Sequence, residues 1–164
     1  MNKMLSVRKA AMLLLVAIFA AGCAQTGGSG KGYTKKSGVG PGMNAEGEVV
    51  DSKQVESGYG ELVKGLGDWE GEITGKPAAD SKFTQLQIGM SIKQVTDLAG
   101  QPTDQGAHMT GKAWIPFYFG SDRHRYEMVY KGQGRLIFAG GSMGDFTSGH
   151  LIWIIHNKNE GGYI

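Results

Sequence analysis

The sequence predicts an α+β chain: two short helices followed by three to four strands, set behind a signal peptide and a flexible, glycine-rich tether. Three observations carry that expectation. A well-punctuated amphipathic helix occupies the neighbourhood of 91–100, strand-like runs follow it, and glycine-rich sequence fills most of the stretch between the leader and residue 80. At 164 residues the chain is of ordinary size for one domain.

The leader comes first. Lys3, Arg8 and Lys9 form a positive n-region, followed by the uncharged run Ala10–Ala21. These twelve residues fit the apolar core of a secretory signal and are too few to span a bilayer comfortably. The run closes on Ala20-Ala21-Gly22-Cys23, which resembles a bacterial lipobox. The resemblance implies cleavage before Cys23, a diacylglycerol thioether on its sulfur and an acyl chain on the new N-terminus. Such a multi-chain anchor holds far better than one acyl chain. An ordinary signal peptide cut near Ala21 would instead leave Cys23 as a stray thiol. Ala24 stands where an inner-membrane retention signal would place Asp, so the expected destination is the inner leaflet of the outer membrane, facing the periplasm.

Residues 23–47 read as the tether. Glycine recurs at 27, 28, 30, 32, 38, 40, 42 and 47, and nothing apolar repeats at helix or strand spacing. At about 5–6 Å × √n, some 24 residues give a mean reach of roughly 25–30 Å. Lys31, Lys35 and Lys36 either touch anionic headgroups or peptidoglycan or simply keep the tether solvated.

Residues 48–80 read as an acidic, irregular extension. Over 48–76, seven acidic residues face Lys53, Lys64 and Lys76, a net of −4. Gly58, Gly60, Gly65 and Gly67 argue against one long helix, and the stretch ends in an extended Trp69–Thr74. Trp69 serves either as an anchor for a partner or as a pin onto the domain core.

The domain proper is expected over 81–164. Asp80 can cap a short helix through Leu86, with Phe83 and Leu86 on one face. Ser91 and Gln94 match a capping box, and Ile92, Val95, Leu98 and Ala99 share a helical face. Gly100 closes that helix and Pro102 stops it. Among the strands, Ala113–Phe119 is aromatic-rich with Pro116 at an edge or bulge. Arg125–Lys131 alternates Tyr126, Met128 and Tyr130 with charged residues, and Gly132-Gln133-Gly134 turns the chain into Arg135–Ala139. Leu151–His156 is apolar on both faces, the pattern of a strand covered from both sides.

Charge and cysteine count exclude several classes. The formal charge of +2 belongs to the leader: three of 17 basic residues precede Cys23, leaving 14 against 15 acidic ones. The remainder carries no electrostatic footprint for nucleic acid. One cysteine excludes an internal disulfide and a cysteine-cluster metal site. His108, His124, His150 and His156 show no paired ligand spacing, so no metal is expected. Ser142, Asp145, Ser148 and His150 lack a nucleophile-elbow context. Gly140-Gly141-Ser142-Met143-Gly144 lacks the Gly-Lys-[Ser/Thr] close of a phosphate loop. In Asp122-Arg123-His124-Arg125, Arg123 and Arg125 are candidates to meet lipid phosphate or an acidic partner, or else sit in a solvated turn. No catalytic residue, cofactor or small-molecule substrate is expected.

The order Leu86-Gln87-Ile88-Gly89-Met90-Ser91, the helix to Gly100-Gln101-Pro102, the aromatic strand with Trp114 and Tyr118, and Gly132-Gln133-Gly134-Arg135-Leu136 resembles the SmpA/OmlA (BamE-like) family of small outer-membrane lipoproteins. The resemblance covers roughly 81–139. It implies a two-layer domain with the two helices packed on an antiparallel sheet, no catalysis, and a part in outer-membrane β-barrel assembly. Residues 24–80 are longer, more glycine-rich and more acidic than the family's stretch between lipid and domain, and Leu151–Ile155 lies beyond the family pattern. The expected function is therefore a non-catalytic, lipid-anchored interaction module of the cell envelope, with the β-barrel assembly machinery as one candidate partner. Two alternatives stand beside it: a structural lipoprotein that binds peptidoglycan through 24–76, and an enzyme-inhibitor module of the β-lactamase-inhibitor-like fold.

Overall fold

The computed structural model describes residues 35–108, 125–140 and 148–164. Their elements in chain order are β1 (Glu61–Lys64), β2 (Glu70–Thr74), a 3₁₀ turn (Lys82–Gln85), α1 (Ile92–Ala99), β3 (Asp104–His108), β4 (Arg125–Tyr130), β5 (Gly134–Ala139) and β6 (His150–His156). The architecture is α+β, as expected, but the element count differs. Among the described residues six strands join in one sheet, ordered β1-β2-β6-β5-β4-β3, with one α-helix and one 3₁₀ turn. The sheet is also mixed: β6 runs parallel to β2, while every other neighbouring pair is antiparallel. The parallel pair arises because the chain leaves the β1–β2 hairpin, builds β3 to β5, and returns to insert β6 between β2 and β5.

Local chemistry explains the helical pieces. Ser91 accepts from the Gln94 N–H at 3.3 Å, and the Gln94 amide oxygen accepts from the Ser91 N–H at 2.9 Å. This reciprocal cap is worth on the order of 1 kcal/mol. Gly100, at φ +88°, ends the helix as the sequence predicts. The preceding piece is a single 3₁₀ turn capped by Ser81 rather than by Asp80, and it stops before Leu86. The Ser81 hydroxyl accepts from the Phe83 N–H, so the cap sits one residue later than the expected one.

Alternation in the strands assigns two faces. On the helix side, Tyr126, Met128 and Tyr130 of β4, Leu136 and Phe138 of β5, and Leu151 and Ile154 of β6 pack with Phe83, Leu86, Ile88, Val95 and Ala99. Leu151 and Ile154 are three apart in a period-two element. They share a face because a bulge in β6 sets Phe138 opposite Leu151 and Ile137 opposite Trp153, leaving Ile152 extra. Burying each of these large side chains contributes roughly 1.5–3 kcal/mol.

The other face is also covered. Val49 and Val55, from a strap running over 36–60, pack on Trp153 and Ile155 with Met43 and Ile137 at the rim. Lys36 fastens the strap: its N–H donates to the Gly58 carbonyl at 2.8 Å, its ammonium pairs with Glu56 at 2.8 Å, and it lies 4.9 Å over the Tyr59 ring. Residues 36–47, expected in the tether, therefore belong to the folded domain, and the expected irregular extension supplies β1 and β2. A deletion running to residue 76 would remove both strands. The expected strand Ala113–Phe119 lies outside the described residues.

Candidate functional site

Strand direction brings two sequence-predicted contact residues to one end of the sheet. β2, β6 and β4 run the same way, so Trp69 (just before β2), His150 (the first residue of β6) and Arg125 (the first of β4) lie at corresponding ends. Trp69 and Arg125 are three strand spacings apart across the order β2-β6-β5-β4, roughly 14 Å. They do not share a face. Trp69 packs against the helix-side cluster, whereas Arg125 alternates in register with Glu127 on the strap side. Cys23 and Arg123 lie outside the described residues.

Trp69 is held by a short stitched segment. Its ring stacks on His150 with centroids 4.6 Å apart and planes 16° from parallel. Gly89, at φ +87°, passes beneath it, and a Cβ there would come within 2.9 Å of the Trp69 side chain. The Gly65 N–H donates to the Trp69 carbonyl at 2.8 Å, and the Leu66 N–H donates to the Ile88 carbonyl at 2.9 Å. The Gly89 N–H then reaches the Leu151 carbonyl at 2.7 Å, and the Leu151 N–H donates back to Met90 at 2.8 Å. Residues 88–90 thus lace the β1–β2 hairpin to β6, which explains physically why glycine stands at 89. Of the two roles read from sequence, the half-buried indole makes the contacts of a pin.

Two buried polar centres are present that the sequence reading did not single out. The first is Glu72 on β2, fully buried on the strap side. Its carboxylate accepts from the Ser57 hydroxyl at 2.6 Å, the Gly58 N–H at 2.9 Å, the Gly60 N–H at 2.6 Å and the Thr74 hydroxyl at 3.1 Å. Thr74 Oγ1 in turn accepts from the Trp153 indole N–H at 2.9 Å. A buried charge needs such compensation, and here it fixes the end of the strap to the sheet.

The second centre is Arg135 on β5, only 4% exposed. It bonds Glu127 at 2.7 Å, grips Glu160 through two bonds of 3.0 and 3.1 Å, and donates to the Tyr163 carbonyl at 2.9 Å. Burial alone would lower the Arg135 pKa, but bonds to Glu160 and Glu127 hold it above its ordinary value. Burial raises Glu160, but Arg135, the Ser52 hydroxyl and the Gly162 N–H together hold it below its ordinary value. The cluster clasps residues 157–164 over the β3–β5 side of the strap-side face. The Ile164 N–H reaches Asp104 at 3.0 Å, and the Ile164 side chain lies against Gly106. That amide and the Gln105 N–H hold the Asp104 carboxyl below its ordinary range.

Burial also shifts two helix-side groups. The Tyr130 phenol is pushed up to about 12 and donates to the Gly100 carbonyl at 3.0 Å, tying β4 to the end of α1. His156, 5% exposed, lies 6.0 Å from the Phe83 ring, and its buried Nδ1 has no hydrogen-bond partner among the described residues. Burial drives its pKa down to about 4.

A catalytic group must present a polar atom to a substrate. Glu72 and Arg135 instead direct their polar atoms into the fold. A cleft of 310 Å³ lies between strap and C-terminal tail, with Val50, Lys53, Arg135, Asn157, Glu160 and Tyr163 among its walls. Among the described residues no group of three or more His, Cys, Asp or Glu is placed to hold a metal ion. No helix among them is long and apolar enough to cross a membrane. Comparison with protein-family models, curated proteins and solved structures finds no match to this chain.

Proposed function

We propose that this chain is a non-catalytic, lipid-anchored periplasmic lipoprotein that acts as a protein-interaction module in the cell envelope. The observation that carries the proposal is the chain's one cysteine standing at the end of a twelve-residue apolar run, in Ala20-Ala21-Gly22-Cys23. Diacylglycerol on the Cys23 sulfur and an acyl chain on its amine anchor the protein in the inner leaflet of the outer membrane. The three acyl chains together supply the stable anchoring that one acyl group cannot.

Domain chemistry supports an interaction role. Of the buried ionisable residues, Glu72, Glu127, Arg135 and Glu160 are engaged by polar neighbours within the fold, and His156 lies against the Phe83 ring. The domain offers partners a sheet whose β1 edge carries the exposed Leu62. A part in outer-membrane β-barrel assembly is the finer form of the proposal. Its support is the SmpA/OmlA-like order of residues from Leu86 to Leu136.

The anchor is tested by growing cells with labelled palmitate. Wild-type protein is expected to take up label and fractionate with the outer membrane, and Cys23→Ser to lose the label and accumulate as an uncleaved or soluble form. Label retained in Cys23→Ser would overturn the lipobox reading.

A further inference from the structure

We draw no further inference here: the strongest candidate, the cleft between the strap and the C-terminal tail walled by Val50, Lys53, Arg135, Asn157, Glu160 and Tyr163, carries nothing because its buried polar groups are already bonded within the fold and nothing in the structure shows what would fill it.

Discussion

His156 makes the folded domain sensitive to acid in a calculable way. The imidazole is buried beside Phe83, its Nδ1 meets no partner among the described residues, and burial lowers its pKa from 6.5 to about 4. In the unfolded chain the group titrates near its ordinary value, so below that value the unfolded state binds the proton first. Stability from this residue is thus fully present above about pH 6.5 and is lost as pH falls towards 4. Integrating the two titrations gives a loss of about 2 kcal/mol by pH 5 and about 3 kcal/mol by pH 4, relative to pH 7. The perturbation is His156→Leu, which removes the titrating group and leaves no partner stranded at Nδ1. Urea unfolding, followed by tryptophan fluorescence at pH 7, 6, 5 and 4, measures the difference. Carboxylates such as Glu160 and Asp104, held below their ordinary values, also release stability in acid, but they do so in both proteins and cancel. The variant is expected to lose about 3 kcal/mol less than wild type between pH 7 and 4. Parallel pH profiles would refute the reasoning, because the imidazole would then not be buried in its neutral form.

Two substitutions test the polar and backbone devices. Glu72→Gln puts an NH₂ where a carboxylate oxygen now accepts, leaving at least one of the Ser57, Gly58, Gly60 and Thr74 donors unmet. The cost is about 1–3 kcal/mol in the urea midpoint, and a change below about 0.5 kcal/mol would contradict the role given to this carboxylate. Gly89→Val should destabilise more than Gly100→Val, although both positions have positive φ. A Cβ at 89 meets Trp69 at 2.9 Å, while at 100 it finds only the Lys82 ammonium at 3.8 Å. Equal melting temperatures for the two variants would show that the Trp69 contact is not tight.

What could be read from sequence depended on whether the deciding contacts were local. The α1 caps are set by Ser91, Gln94 and Gly100 within ten residues, and they appear where the pattern puts them. The Gly132–Gly134 turn between β4 and β5 is likewise local. The two-sided apolar run of β6 correctly marked a strand covered on both faces, because Leu151 and Trp153 have opposite layers to fill. β1 and β3 escaped notice for the converse reason. Glu61-Leu62-Val63-Lys64 and Asp104-Gln105-Gly106-Ala107-His108 are short edge strands whose pairing comes from β2 and β4 rather than from their own alternation.

Gly58, Gly60, Gly65 and Gly67 argue against one long helix over 48–76, and none forms there, but the β1–β2 hairpin that forms instead depends on a close approach of Gly71 to Ile88 and Ile152. Nothing local in the sequence marks Arg135 and Glu127 as buried. Their burial depends on Glu160, 25 residues beyond Arg135, returning over the sheet. Trp69 and Arg125, chosen from sequence as contact candidates, reach the same end of the sheet on different faces. Cys23 and Arg123 rest on the sequence alone.

The central claim is that the anchored domain works by binding other envelope proteins. Crosslinking in intact cells, detergent extraction and mass spectrometry of what copurifies tests it most directly, against a control lipoprotein with the same anchor. The account predicts a defined set of outer-membrane or periplasmic proteins enriched over that control, with components of the β-barrel insertion machinery among them if the finer proposal holds. Recovery of no protein above the control would contradict it.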